Sequence, residues 1–300
     1  MSFFSSLNTT TWRTDYSGGK SPLKFFLFSS APHWKAAAVA IVLSIIAAAL
    51  SASVAYVFKM IANAALDIRG GGSYDPLFFA CGLAIALLAI AKVGWRVGGF
   101  AGARWATGAS ATGRYALLSY VTLHSHAYFS ERFAGSIMNK IRHAASGMRE
   151  VSEMFLWEFL ELAVNVIVSF IIAFTVSPLV AWIFFVWVSL ILCINAYLGF
   201  KRVPLAVEAH DVETLINGAT VDLLTNVTAM QEYARREYEI DRLKGMTERR
   251  RRMHLRSWYF GEWTRVLNSV LLVVFGAAMV FTTVSLAQAG LVSLGEILLV

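Results

Sequence analysis

Long apolar runs alternate along this chain with stretches in which apolar and charged residues mix at helical spacing. Ala36 to Phe58, Leu179 to Phe200 and Val266 to Ala287 contain no formal charge, and each reaches the roughly 20 residues a helix needs to cross a hydrocarbon core of about 30 Å. Leu77 to Val97 is apolar up to Lys92 and Arg96, and Phe155 to Val176 carries Glu158 and Glu161 in its first turns. The pattern predicts five complete spans. A further apolar run opens at Ile297, after a turn-like stretch from Gly290 to Glu296, and predicts the start of a sixth. The first run begins too far along the chain, and is too long, to be a cleaved signal peptide.

The connections alternate in length. Asp67 to Pro76, Ser177 to Pro178 and Gln288 to Gly295 are short, whereas Gly98 to Met154 and Lys201 to Arg265 are long, with Pro204 the only proline in either. In the second long connection Asp222, Leu223, Leu224, Val227 and Met230, followed by Tyr233 to Leu243, keep a helical alternation of apolar and charged positions. Both connections therefore read as helices that leave the membrane. A helix from Phe100 to His124 would project about 37 Å at 1.5 Å per residue. The expected fold is an all-α membrane protein, a polytopic helical bundle of five spans plus the beginning of a sixth. Residues 1–35 form an N-terminal segment and 36–300 the membrane domain.

Composition supports the spans and charge orients them. Of the 300 residues 57% are hydrophobic and 15% charged, against roughly 25% charged in soluble domains. The net charge of +7 comes from 26 Lys and Arg, of which 22 lie in the N-terminal segment and the two long connections. Basic residues are retained on the cytoplasmic side, so the N-terminus and both long connections are expected there. This placement accounts for the basic balance without a nucleic-acid partner. Cys81 and Cys193 both fall inside apolar runs and suggest no disulfide framework.

Few residues carry candidate chemistry. Lys92 and Arg96 are spaced i, i+4, and Glu158 and Glu161 i, i+3, at similar depth near the inner boundary. They read either as intramembrane ion pairs and snorkelled ends or as a charged wall of a translocation path. Gly94, Gly98 and Gly102 repeat every four residues and let another helix backbone approach, within the chain or across a dimer seam. Arg249 to Arg252 read as a solvated positive-inside anchor, and Trp12, Trp34 and Lys35 as interfacial anchors around the first span. His124 and His126 point to different sides of a helix and no His-Glu-x-x-His occurs, so no metal or catalytic site is expected. Gly19-Lys20-Ser21 has the ending of a phosphate-binding loop, but Thr14 replaces its first glycine and Pro22 follows.

Two loop segments carry a family resemblance. His124-Ser-His-Ala-Tyr128-Phe129-Ser-Glu-Arg-Phe-Ala-Gly135-Ser-Ile-Met-Asn-Lys140-Ile resembles the first cytoplasmic loop of ABC exporter transmembrane domains. Val221-Asp222-Leu-Leu-Thr-Asn226-Val-Thr-Ala-Met230-Gln-Glu-Tyr-Ala-Arg-Arg-Glu237 resembles the second, and Leu294-Gly295-Glu296-Ile-Leu-Leu the entry to the sixth span. The likeness covers roughly residues 20–300 in order and resembles half-transporters of bacterial lipid and multidrug exporters. It implies a membrane half that works with a second half-transporter, same or different, in the bacterial inner membrane, amid its lipids. It further implies that His124, Tyr128, Phe129, Asp222, Asn226 and Met230 couple the spans to a nucleotide-binding domain outside these residues, where ATP and Mg would bind. An ATP-independent solute or peptide carrier sharing the membrane fold is the alternative. The three charge-free spans lack the mid-membrane ionisable relay such a carrier should hold.

Overall fold

The computed structural model describes residues 21–130, 134–292 and 296. Their order is α1 (Pro22–Ser30), a 3-10 turn (Ala31–His33), α2 (Trp34–Arg69), α3 (Asp75–Thr122), α4 (His126–Ser130) and α5 (Ala134–Met154). A π-helical turn (Phe155–Leu160) then leads into α6 (Glu161–Val176), α7 (Pro178–Thr225), α8 (Val227–Glu232) and α9 (Arg236–Gln288). No strand occurs among the described residues. Five helical segments are long and apolar enough to cross a membrane, as the apolar runs predict: 22–68, 75–122, 135–176, 178–225 and 236–288. The sixth apolar run, from position 297 on, lies outside the described residues.

Helix starts follow the local chemistry. Ser21 accepts from the Lys24 amide at 3.5 Å with Pro22 behind it, and Ser177 accepts from the Leu179 amide at 3.3 Å with Pro178 in the first turn. In each case a hydroxyl caps orphan amides while proline supplies a preset φ and needs no donor. The turn after α2 closes with Gly71 at φ 92°, a left-handed position that suits glycine.

The described residues fall into two units, one running to Thr175 and including 296, the other running from Val176 to Val292. In the first, α3 is the hub. A Cβ added to Gly94 would meet Ala47 Cβ at 3.2 Å, one at Gly98 would meet Leu43 Cβ at 3.4 Å, and one at Gly102 would meet Leu156 Cδ1 at 2.9 Å. The glycine repeat therefore packs within the chain, against α2 and the π-helical turn. Ala40, Trp105, Ala109 and Leu156 form the buried cluster there, with Phe26, Ile41 and Trp157 around it. A second cluster, Val57, Ala80 and Ala84, joins α2 to α3 nearer the short connection. One stripe of α5, Ile141, Ala145, Met148 and Ser152, is buried, and Ser110 donates to the Ala145 carbonyl at 2.7 Å.

The π-helical turn sits where two bulky consecutive residues are wanted against one neighbour. Leu156 is buried against Gly102 while Trp157 reaches Gly99 and pairs with the Trp95 ring at 5.6 Å. A widened turn lets both face α3, and such insertions concentrate at functional sites. Upstream, α1 lies along α3, with Phe25 and Ser29 close to Gly113 and the His33 ring over Gly108. The His33 Nε2 is 3.0 Å from the Thr112 hydroxyl.

In the second unit α7 and α9 pair along their lengths. Trp187 stacks on Phe275 at 5.6 Å, Arg202 lies beside Gly261, and Glu213 pairs with Arg250. Asn195 and Asn268 exchange side-chain hydrogen bonds, Asn195 Nδ2 to Asn268 Oδ1 at 3.0 Å and Asn268 Nδ2 to Asn195 Oδ1 at 2.8 Å. The helical pattern expected to run on from Met230 through Tyr233 to Leu243 breaks instead at Tyr233 to Arg235. Ala234 takes φ 50°, and the Arg235 amide returns to the Met230 carbonyl at 2.9 Å. A left-handed alanine costs about 1 kcal/mol, which the closing hydrogen bonds offset.

Candidate functional site

Each long excursion ends in a short helix set between two long ones. In the first, α3 stops at Thr122, the Leu123 and His124 amides bond back to the Tyr120 and Val121 carbonyls, and α4 follows. The aromatic residues then divide in two. Tyr120, His124 and Tyr128 meet in sequence, edge-on at 5.0 Å and then tilted at 4.3 Å between ring centres. Tyr128 faces a groove of about 550 Å³ bounded by Leu117, Tyr120, Val121, Ile137 and Lys140. His124 and Tyr128 therefore pack onto the loop helices and hold the tip in shape. Phe129, edge-on to Tyr128 at 5.4 Å, remains 40% exposed, and Leu123 beside it is 81% exposed. Leu123 was not singled out from sequence, because a lone leucine at the end of an amphipathic helix has no distinguishing pattern.

At the second tip Asp222 and Asn226 form the corner. The Asn226 side-chain amide donates to the Asp222 carboxylate and to the Asp222 carbonyl, each at 3.0 Å, and the Met230 amide donates to the Asn226 carbonyl at 3.0 Å. These contacts end α7 and start α8 in a fixed direction. Met230 is half-buried, whereas Leu224 and Tyr233 stand exposed on either side of α8. Both tips thus pair a locally locked corner with outward apolar side chains. Further along α9, Arg251 donates to both oxygens of Glu248, at 2.8 and 2.7 Å, and holds that carboxyl below its ordinary pKa.

The intramembrane charges are arranged differently. Lys92 and Arg96 are exposed on α3, Glu158 is exposed on the π-helical turn, and Glu161 at the start of α6 is half-buried. Among the described residues none of the four lies within ion-pair distance of an opposite charge. The Trp95 and Trp157 pair fills the seam between their helices. An ion pair that sequence did not suggest joins Lys59 Nζ to Glu296 Oε1 at 2.8 Å, with the side chains 15% and 17% exposed. The Lys59 ammonium also lies 5.4 Å from the Tyr56 ring centre. Asn195 and Asn268 were missed too, although each is a solitary amide in an otherwise apolar run. No group of His, Cys, Asp and Glu able to hold a metal occurs among the described residues.

The family model for the ABC transporter transmembrane region matches residues 37–300. No curated protein matches the chain. The matched region begins as α2 enters the membrane and takes in all five spans with both loop tips. This chain, an integral multi-pass membrane protein, belongs to the ABC transporter transmembrane-region family.

Proposed function

We propose that the chain is the membrane half of an ATP-driven exporter, paired with a second half-transporter in a bacterial inner membrane. Its two loop tips dock on a nucleotide-binding domain that carries ATP and Mg. The observation that supports this reading most is the pair of short helices, α4 and α8, each with exposed apolar side chains on or next to it at the end of a long helical excursion. Exposed Leu123 and Phe129 at one tip, and Leu224 and Tyr233 at the other, are unfavourable in water and suit a protein partner. The excess of Lys and Arg in the N-terminal segment and the long connections supports a cytoplasmic position for both tips, where ATP is available.

In this mechanism the docked tips move with the nucleotide-binding domain and carry its closure along α3, α5, α7 and α9 to the spans. His124 and Tyr128 keep the first tip rigid, and the Asp222 to Asn226 corner does so for the second. Phe129 is the anchor. Replacing Phe129 with Ala should lower ATP-driven uptake of a fluorescent amphiphile into inside-out vesicles by about tenfold or more, the effect of losing a central interface side chain. Membrane insertion, read from yield and protease pattern, should not change. Uptake at the unmodified rate by Phe129→Ala, or full uptake with no ATPase subunit present, would overturn the coupling and favour an ATP-independent carrier.

A further inference from the structure

We propose that residues 12–16, ahead of α1, dock in the groove between α3 and α5, with the Trp12 ring on its apolar walls and the Asp15 carboxylate at Lys140. The groove continues a seam that α1 already covers. At Gly113 of α3 an added Cβ would meet Ser29 Oγ at 3.1 Å, Phe25 Cζ at 3.3 Å and Met148 Cγ of α5 at 3.5 Å. Side chains of α1 therefore sit on the line where α3 and α5 meet. One turn nearer the tip that line opens into the groove of about 550 Å³, walled by Leu117 and Val121 of α3 and by Ile137 and Ile141 of α5. Ile141 is buried and the other three are half-buried, and walls of this kind gain by excluding water. Lys140 and Ser136 stand exposed at the rim. Among the described residues no carboxylate lies within ion-pair distance of Lys140.

The sequence supplies an occupant of matching chemistry and reach. Asp15 is the only acidic residue ahead of Asp67, and the aromatic Trp12 and Tyr16 stand close to it. Ser21 lies four residues before Phe25, about 6 Å at helical rise, while Leu117 and Lys140 lie about 6 Å and 12 Å along their helices from Gly113 and Met148. Six residues of extended chain from Ser21 back to Asp15 span up to about 20 Å, and nine back to Trp12 up to about 30 Å. Both reach the groove. A second copy would have to find it by diffusion, whereas this segment is tethered beside it at an effective concentration of the order of millimolar. An ion pair at an exposed lysine adds little by itself, so the Trp12 ring supplies most of the binding and Asp15 sets its direction. Docked there, the segment ties α3 to α5 directly behind Tyr128 and braces the first tip from within the chain.

The inference is independent of ATP coupling, and its test contains no ATP. With Cys81→Ala and Cys193→Ala in place, Thr14→Cys is combined either with Ser136→Cys at the groove or with Arg142→Cys. Position 142 is also exposed, at a similar level but about 200° around α5 from Lys140. Mild oxidation of the full chain in membranes, followed by mass spectrometry of its digest, measures the disulfide formed within one chain. The link to position 136 should exceed that to position 142 by about tenfold, because a segment that is only tethered meets both positions at similar effective concentration. Trp12→Ser should remove most of the excess. Asp15→Lys should lower it by about two- to fivefold, the scale of an exposed ion pair, and adding Lys140→Glu should restore it, which separates loss of the pair from loss of fold. Equal yields at the two positions, or an excess untouched by Trp12→Ser, would overturn the docking. No recovery with Lys140→Glu would overturn the Asp15 contact. Links formed only between two differently tagged chains, each carrying one of the cysteines, would make a second copy the occupant and overturn docking within one chain.

Discussion

Two helix pairs in this protein hold together by different means. The α2 and α3 pair closes over a run of small residues, so that backbones nearly touch, and 28% and 17% of the apolar windows of their spans are buried. The α7 and α9 pair buries 11% of each of its windows and relies on aromatic stacking and the reciprocal Asn195 and Asn268 amides. In lipid no hydrophobic drive separates helices from tails, so close van der Waals contact and hydrogen bonds must do the joining. The first pair uses contact and the second uses polar glue. The first pair is therefore specified by shape, the second by a point contact that fixes register and leaves most of each helix facing outward.

The largest test of this contrast is bulk at a glycine. Gly98→Leu would drive a side chain into Leu43 and Ser44 and should cost about 2 kcal/mol or more through overpacking. Gly276→Leu, where nothing lies within 4 Å of the added Cβ, should change stability by less than about 0.5 kcal/mol. Thermal unfolding of the two variants in the same detergent compares them directly, and equal losses would break the contrast. A smaller effect is expected at the polar contact. Asn268→Leu should cost about 1 kcal/mol, within the range for interhelical side-chain hydrogen bonds in membranes. Adding Asn195→Leu should then cost less than it does alone, because the partner is already gone.

The smallest effect concerns the charges of the first unit. Lys92→Met and Glu158→Gln should add within about 0.5 kcal/mol in a double-mutant cycle, as expected for groups that share no contact. A coupling well beyond that would show that the two pair in solution and would move polar glue into the first unit as well.

Much of this architecture is legible in the sequence because membrane spans are read by length and polarity alone. The five apolar runs, the two long excursions and the Gly94 to Gly102 repeat all follow from position along the chain. What escaped depends on three-dimensional phase. Tyr128 and Phe129 are neighbours of like chemistry, yet one faces a groove and the other solvent, and only the direction of α4 decides which. The π-helical turn arises because Leu156 and Trp157 both seek α3, a demand visible only once α3 is beside them. Asn195 and Asn268 each look like a stray amide until the α7 and α9 register sets them opposite each other. Lys59 and Glu296 lie far apart in the chain and share no local pattern.

The length of α3 has a mechanical consequence. Its 48 residues, Asp75–Thr122, make a rod about 72 Å long. Neighbours hold it at many points: α2 at Ala80, Ala84, Gly94 and Gly98, the π-helical turn at Gly102, α1 and the 3-10 turn at Gly108 and Gly113, and α5 at Ser110. A rod clamped along its length cannot tilt about one contact without breaking the others. A force applied at the α4 end would therefore move α1, α2, α3 and α5 together, and the far end of the span would travel with the tip rather than against it.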